Sequence, residues 1–169
     1  SKNQFIDRIN GVELYLKRED QIHPYISGNK FRKLKYNLLK AEQQKLASVL
    51  SFGGAYSNHI AALAEACKLT NFKSIGIIRG DELGQNLEKT LSENQTLKRA
   101  YSNGIQLHFV SRADYRKKEF LPLVKRLLES ENALLIPEGG TNQLAIKGCQ
   151  EILTKADDFD VIACSLGTS

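Results

Sequence analysis

"ASVLSFGGAYSNHIAALAEACKL", residues 47–69, decides the architecture. The first six residues are a short apolar run that stops at Gly53-Gly54. From Ser57 the period changes: Ile60, Leu63, Ala64 and Cys67 fall at the three- and four-residue spacing of one helical face. The same alternation recurs downstream. "SIGIIRG" (74–80) reads as a second strand, "LEKTLSENQTLKRAYSNG" (87–104) as a helix closing on Gly104, and "IQLHFV" (105–110) as a third strand. Residues 115–128 read as a basic amphipathic helix, "ALLIPEGG" (133–140) as a fourth strand, "NQLAIKGCQEILT" (142–154) as a helix and "DVIACS" (160–165) as a fifth strand. Strands separated by helices at this spacing predict crossovers that build a parallel sheet, in a three-layer α/β/α arrangement.

Upstream of residue 46 the pattern differs. "GVELYLKRED" (11–20) reads as a strand entering a turn, and "NKFRKLKYNLLKAEQQ" (29–44) as a helix with Phe31, Leu34, Leu38 and Ala41 on one stripe. Ser27-Gly28 precede that helix, so Lys30 falls in its first turn.

Composition bounds the rest. At 169 residues and 41% hydrophobic, the chain can bury a real core as one domain or two small ones. The charge of +5 comes from 24 basic and 19 acidic residues, interspersed, which gives ordinary solubility with some attraction for anions. No apolar run is long enough for a bilayer, and "SKNQFIDRING" at the start has no signal-type apolar region, which points to a cytoplasmic address. Cys67, Cys149 and Cys164 are scattered, odd in number and in apolar company, as buried reduced thiols would be. His23, His59 and His108 have no partner at ligand spacing, so no metal is expected. There is no methionine, and the chain stops at "ACSLGTS" as a glycine-bearing turn begins; the expectation is part of a longer polypeptide.

Three glycine-bearing stretches follow strand ends: Gly53-Gly54, Gly139-Gly140 and Gly167. In open α/β sheets ligands bind in the crevice beyond those ends. Ser57-Asn58 and Thr141-Asn142 each open a helix, whose unpaired N–H groups and positive dipole end suit a carboxylate or phosphate. Ser57 and Thr141 could equally serve as simple helix caps, and at this level both readings stand. Near such a crevice, Lys30 could be desolvated, lose its proton and act as an amine nucleophile. Arg32, Lys35 and Lys40 read as solvated charges of a basic helix.

"GNKFRKLKY" (28–36), "FGGAYSNHIAALA" (52–64), "IPEGGTNQLAIKG" (136–148) and the terminal "GTS" together resemble the 1-aminocyclopropane-1-carboxylate deaminase / D-cysteine desulfhydrase family. The resemblance runs from about Lys17 to the end. It implies the tryptophan synthase β-like fold (fold type II), pyridoxal 5'-phosphate as cofactor, and a chain incomplete at its C-terminus. It also implies residues 36–143 as a small α/β domain, with 1–35 and 144–169 belonging to a larger cofactor-binding domain that continues past the chain end. By resemblance, Lys30 holds the cofactor covalently, Lys33 reaches its phosphate and Asn58 hydrogen-bonds the pyridoxal 3-hydroxyl. Ser57 is the active-site serine that meets the substrate carboxylate, with Asn58 and His59 beside it. The phosphate loop falls on "SLGTS", where Gly167 and Thr168 are the expected contacts, although Ser165, Leu166 and Thr168 depart from the usual glycine or threonine.

Deaminases of this family usually carry glutamine after the Ser-Asn pair; this chain has His59, as the desulfhydrase-like branch does. The resemblance therefore implies α,β-elimination from D-cysteine or a related small amino acid, giving pyruvate, ammonia and hydrogen sulfide, in a cytoplasmic homodimer. Alternatives are ring opening of 1-aminocyclopropane-1-carboxylate to 2-oxobutanoate and ammonia, or cofactor binding without turnover. As a substrate contact or as a helix-packing residue, His59 has two readings. Nucleic acid is not an expected partner: "KFRKLK" and "RKKEFLPLVKR" are basic but lack a recognition module or an aromatic platform.

Overall fold

A computed structural model describes residues 1–26 and 28–164. In chain order its elements begin with β1 (Asn3–Ile9), β2 (Val12–Lys17), α1 (Asn29–Gln43), β3 (Ser48–Gly53) and α2 (Asn58–Leu69). They continue with β4 (Lys73–Arg79), α3 (Leu87–Glu93), α4 (Gln95–Ser102), β5 (Gln106–Val110), α5 (Arg112–Tyr115), α6 (Pro122–Ser130), β6 (Ala133–Leu135) and α7 (Gln143–Cys149).

β3 to β6 form a parallel four-stranded sheet in the order β5-β4-β3-β6. Successive side chains on a strand point to opposite faces, so each strand feeds two cores. Val49 joins Leu34 and Leu38 of α1 and Leu63 and Cys67 of α2 on one side. Leu50, Phe52, Ile75 and Ile77 meet Val124 and Leu127 of α6 on the other. Ile78 returns to the first side, against Ile60, Leu97 and Ala100. The expected three layers follow, and each buried Leu or Ile contributes roughly 1.5–3 kcal/mol.

Several element boundaries differ from the sequence expectation. The helix expected over 87–104 is two helices, because Asn94 turns to extended backbone (φ −123°, ψ 97°). Its amide oxygen accepts from Leu97 N–H at 3.0 Å and its amide nitrogen donates to Ala55 O at 2.9 Å, bonds that compete with helix continuation. The helix expected over 115–128 is interrupted likewise: α5 ends at Tyr115 and Pro122 starts α6, where its missing N–H costs nothing. α7 ends at Cys149, short of Thr154. Over 160–164 no strand forms and Val161 is 83% exposed. An extended segment becomes a strand only beside a hydrogen-bonding neighbour, and none flanks it among the described residues.

The N-terminal strand reading at 11–20 misses a partner: β1 pairs antiparallel with β2, Ile9 facing Val12. Asn10 (φ 51°) and Gly11 (φ 84°) form the two-residue connection, a type I′ signal present in the sequence as Asn-Gly.

α1 and α7 touch through their backbones. A β-carbon on Gly148 would lie 2.0 Å from Arg32 O. Arg32 is not the solvated charge expected of it: its guanidinium donates to Glu19 at 3.0 and 3.1 Å, both side chains being largely buried. Of the cysteines only Cys67 is buried, its thiol pushed up to about 12 by burial; Cys149 is half-buried and Cys164 exposed.

Candidate functional site

The C-terminal ends of β3 and β6 carry the two glycine turns, and α1 runs beside them. Gly28 precedes α1 at φ 58°, a left-handed conformation that only glycine adopts cheaply. The next turn of chain places Lys30 half-buried in a cavity of about 350 Å³, lined also by Tyr25, Asn58, Ala61, Ala62 and Arg99. Burial first, and then the charge of Lys33, lowers the Lys30 ammonium below the ordinary lysine range; Cys149 acts weakly in the opposite sense. An amine that sheds its proton more readily is a better nucleophile and base.

Ser57 caps α2, its Oγ accepting from Ile60 N–H at 3.3 Å. The approach is close: a β-carbon on Gly53 would lie 2.7 Å from Ser57 Oγ and 2.4 Å from Ile60 Cγ1, so the turn admits only glycine. Asn58, exposed, opens into the Lys30 cavity. Ser57 instead lines a neighbouring cavity of about 470 Å³ with Gly54, Arg79, Glu82 and Arg112. Lys30 and Asn58 are thus brought together, with Ser57 one residue away on the adjoining wall.

Lys33, one helical turn after Lys30, donates to Thr141 Oγ1 at 2.9 Å. Thr141 is not the cap of the following helix; Asn142 is, accepting from Ala145 N–H at 2.9 Å. Asn142 also exchanges amide hydrogen bonds with the buried Asn37 of α1 (2.8 and 3.3 Å), which pins the second glycine turn to the lysine-bearing helix.

His59 is 2% exposed. Its Nε2 lies 2.8 Å from Ser51 Oγ, whereas Nδ1 is buried without a partner among the described residues. Burial, reinforced by Lys30 and Lys33 and opposed by Glu138, lowers its pKa to about 4, so the ring is neutral near pH 7. Gly167 and Thr168, expected at the phosphate, lie outside the described residues.

Sequence reasoning did not find Ser51, Asn37 or the carboxylate of Glu138, which accepts from Tyr115 Oη at 2.5 Å and from Lys118 Nζ at 2.7 Å. No local pattern marks them; they come from β3, from the middle of α1 and from the turn after β6, far apart in the chain.

With this geometry in hand, comparison with known proteins is specific. The model of the family described as "Pyridoxal-phosphate dependent enzyme" matches residues 3–169. The "Bifunctional D-cysteine desulfhydrase/1-aminocyclopropane-1-carboxylate deaminase, mitochondrial" of Arabidopsis thaliana is 32% identical over 175 residues, covering 94% of this chain and 43% of that protein. The solved structure of an ACC deaminase homologue superposes with a TM-score of 0.63 at 25% identity, over 89% of this chain and 45% of that one. Serine racemase from Dictyostelium discoideum gives 0.61 at 21% identity, over 84% and 40%, and shares the fold. The chain spans about half the length of the curated relatives it matches.

Proposed function

The chain belongs to the pyridoxal-phosphate dependent enzyme family, and from that membership we propose that it acts in amino-acid metabolism, eliminating across the α,β bond of D-cysteine or a related small amino acid. With one water consumed, D-cysteine yields pyruvate, ammonia and hydrogen sulfide. The observation that carries this reading is Lys30: a half-buried primary amine, disfavoured as an ammonium, in one cavity with the Asn58 amide.

These residues fit the cofactor. Lys30 offers the amine that would hold its aldehyde carbon, Asn58 a donor for the ring hydroxyl, and Lys33 a cation for the phosphate. When bound, pyridoxal phosphate supplies an electron sink for the pair left at the substrate α-carbon. The protein's share is proton handling and orientation. Lys30 Nζ, half-buried and disfavoured as an ammonium, would take the substrate's α-proton. The Ser57 hydroxyl and the N–H groups at the start of α2 orient the substrate carboxylate. Ring opening of 1-aminocyclopropane-1-carboxylate is the second reading, supported by the double name of the Arabidopsis relative.

The same reading assigns residues 36–143 to a small α/β domain and 1–35 with 144–169 to a larger one. Its support is that the parallel sheet lies within 48–135, while β1 and β2 form a separate sheet. The proposed partner is a small amino acid, the assembly a homodimer and the compartment the cytoplasm; no helix among the described residues is long and apolar enough to cross a membrane.

The test is performed on the full-length protein. Visible absorbance of a lysine-bound cofactor, lost in Lys30→Ala, is expected together with keto-acid release from D-cysteine. Absorbance without keto acid from either substrate would leave a binding protein, and absence of the absorbance would refute the assignment.

A further inference from the structure

The ring of His59 is buried between β3 and the second glycine turn, and the mechanism above does not use it. Ser51 Oγ lies within hydrogen-bonding reach of two groups: Pro137 O at 3.2 Å and His59 Nε2 at 2.8 Å. A hydroxyl has one proton to give. If His59 carries its proton on Nε2, two hydrogen bonds form: Nε2–H donates to Ser51 Oγ, and Ser51 donates to Pro137 O. If the proton sits on Nδ1, one bond forms, and a buried N–H is left without an acceptor among the described residues. Orphaned buried N–H groups are rarer than under-satisfied acceptors, so the geometry selects the Nε2–H tautomer.

The other edge of the ring faces Gly140. A β-carbon there would lie 3.0 Å from His59 Cε1, 3.3 Å from Nδ1 and 3.6 Å from Lys33 Cβ. The imidazole and the stem of Lys33 therefore flank the same backbone point, and the next residue, Thr141, receives the Lys33 ammonium. Pro137, which anchors the Ser51 proton, also accepts Gly140 N–H at 2.9 Å and closes the turn.

We propose that His59 is a positioning residue and not a substrate contact: fixed in one tautomer by Ser51, its ring props the Gly139-Gly140 turn and so sets where Thr141 holds the Lys33 ammonium. The consequence for cofactor recognition rests on the reading of Lys33 as the phosphate-facing lysine; the consequence for the tautomer and for Lys33 itself does not.

The experiment uses the full-length protein in two arms. In cofactor-free samples at neutral pH, nitrogen NMR of His59 is expected to show a protonated Nε2 and a bare Nδ1, with Ser51→Ala releasing that preference. The Lys33 ammonium signal is expected to lose its hydrogen-bonded character in His59→Ala, as in Thr141→Val, and to keep it in His59→Gln, whose amide can still donate to Ser51. A protonated Nδ1, or a Lys33 signal indifferent to His59→Ala, overturns the proposal. In the second arm, affinities for pyridoxal phosphate and for pyridoxal are compared. His59→Ala is expected to lose about tenfold of the preference for the phosphorylated form, the weight of one displaced hydrogen bond. His59→Gln should lose little, and His59→Ala added to Lys33→Ala should cost nothing more. A wild type without any phosphate preference would refute the cofactor reading and leave the first arm to decide on His59. A His59→Gln variant that keeps the Lys33 signal and the phosphate preference but raises KM for the amino acid would restore His59 as a substrate contact and overturn the proposal. Should His59→Ala fail to fold, Ser51→Ala carries the same comparison.

Discussion

The two glycine turns, Gly53-Gly54 after β3 and Gly139-Gly140 after β6, end neighbouring parallel strands and look alike in sequence, yet they divide the work differently. At the first, Ser57 Oγ accepts from Ile60 N–H as the cap of α2 and keeps its own proton to donate, while Asn58 faces the Lys30 cavity. At the second, the amide caps and pairs with Asn37, leaving the hydroxyl of Thr141 for Lys33. The glycines also differ in kind. Gly53 is required by crowding, whereas Gly139 (φ 69°) and Gly140 (φ 76°) are required by backbone conformation. A glycine-hydroxyl-amide sequence therefore does not say which side chain reaches a ligand; the neighbour across the turn does.

Lys30→Ala is the largest break. Both the visible absorbance of the lysine-bound cofactor and turnover should vanish, because only an amine bonds covalently to the aldehyde. Lys40, exposed on the far turn of α1, is the control; Arg32, locked to Glu19, is not. Retained absorbance would point to Lys33.

Crowding against conformation is separated by Gly53→Ala and Gly139→Ala. The first drives a methyl into Ile60 and Ser57 and should cost about 3 kcal/mol. The second meets nothing closer than Thr141 Oγ1 at 3.9 Å and should cost about 1 kcal/mol of backbone strain. Urea denaturation gives both; equal values would erase the distinction between the turns.

The ring beneath the second turn makes stability pH-dependent. The folded-state pKa of His59, about 4, lies below the usual 6.5, so between these values the unfolded chain binds more protons. Stability from this group is full above about 6.5 and falls as the pH drops towards 4, by about 3 kcal/mol in all. Lys30 and Lys33 deepen the effect and Glu138 opposes it. Denaturation midpoints measured from pH 7 to 4.5 should show this slope in the wild type and a flatter one in His59→Gln.

Ser57→Ala sharpens the first turn. The cofactor absorbance should persist, turnover should drop roughly a hundred-fold through lost orientation, and stability should fall by about 1 kcal/mol through the lost cap. At the second turn, Asn142→Ala should cost about 2 kcal/mol as cap and amide pair go together. Its effect on cofactor affinity should be the smallest of the series, because Thr141 still holds Lys33.

The parallel sheet and its flanking helices were legible because a strand buried on both faces and an amphipathic helix carry different periods, readable from "ASVLSF" and "HIAALAEACKL" alone. Boundaries were less legible. Asn94 and Pro122 break helices through bonds and clashes that hydrophobic periodicity does not register, and the Asn10-Gly11 hairpin signal went unread because the strand before it, NQFIDRI, sets Phe5 beside Ile6 and does not alternate cleanly. Lys30, Lys33, Ser57, Asn58 and His59 were all named from motifs, as positions without orientations.

Sequence by itself determined the α/β class, the order of the four parallel strands, and the family, since these rest on local periodicity and on short motifs in a fixed order. Only the tertiary structure decided that Asn142 and not Thr141 caps α7, that Ser57 and Asn58 open to different cavities, and that His59 turns inward onto Ser51. Each of those depends on which hydrogen-bonding partner arrives from a strand or helix distant in the chain, and a buried polar group takes the partner that leaves the fewest bonds unmade.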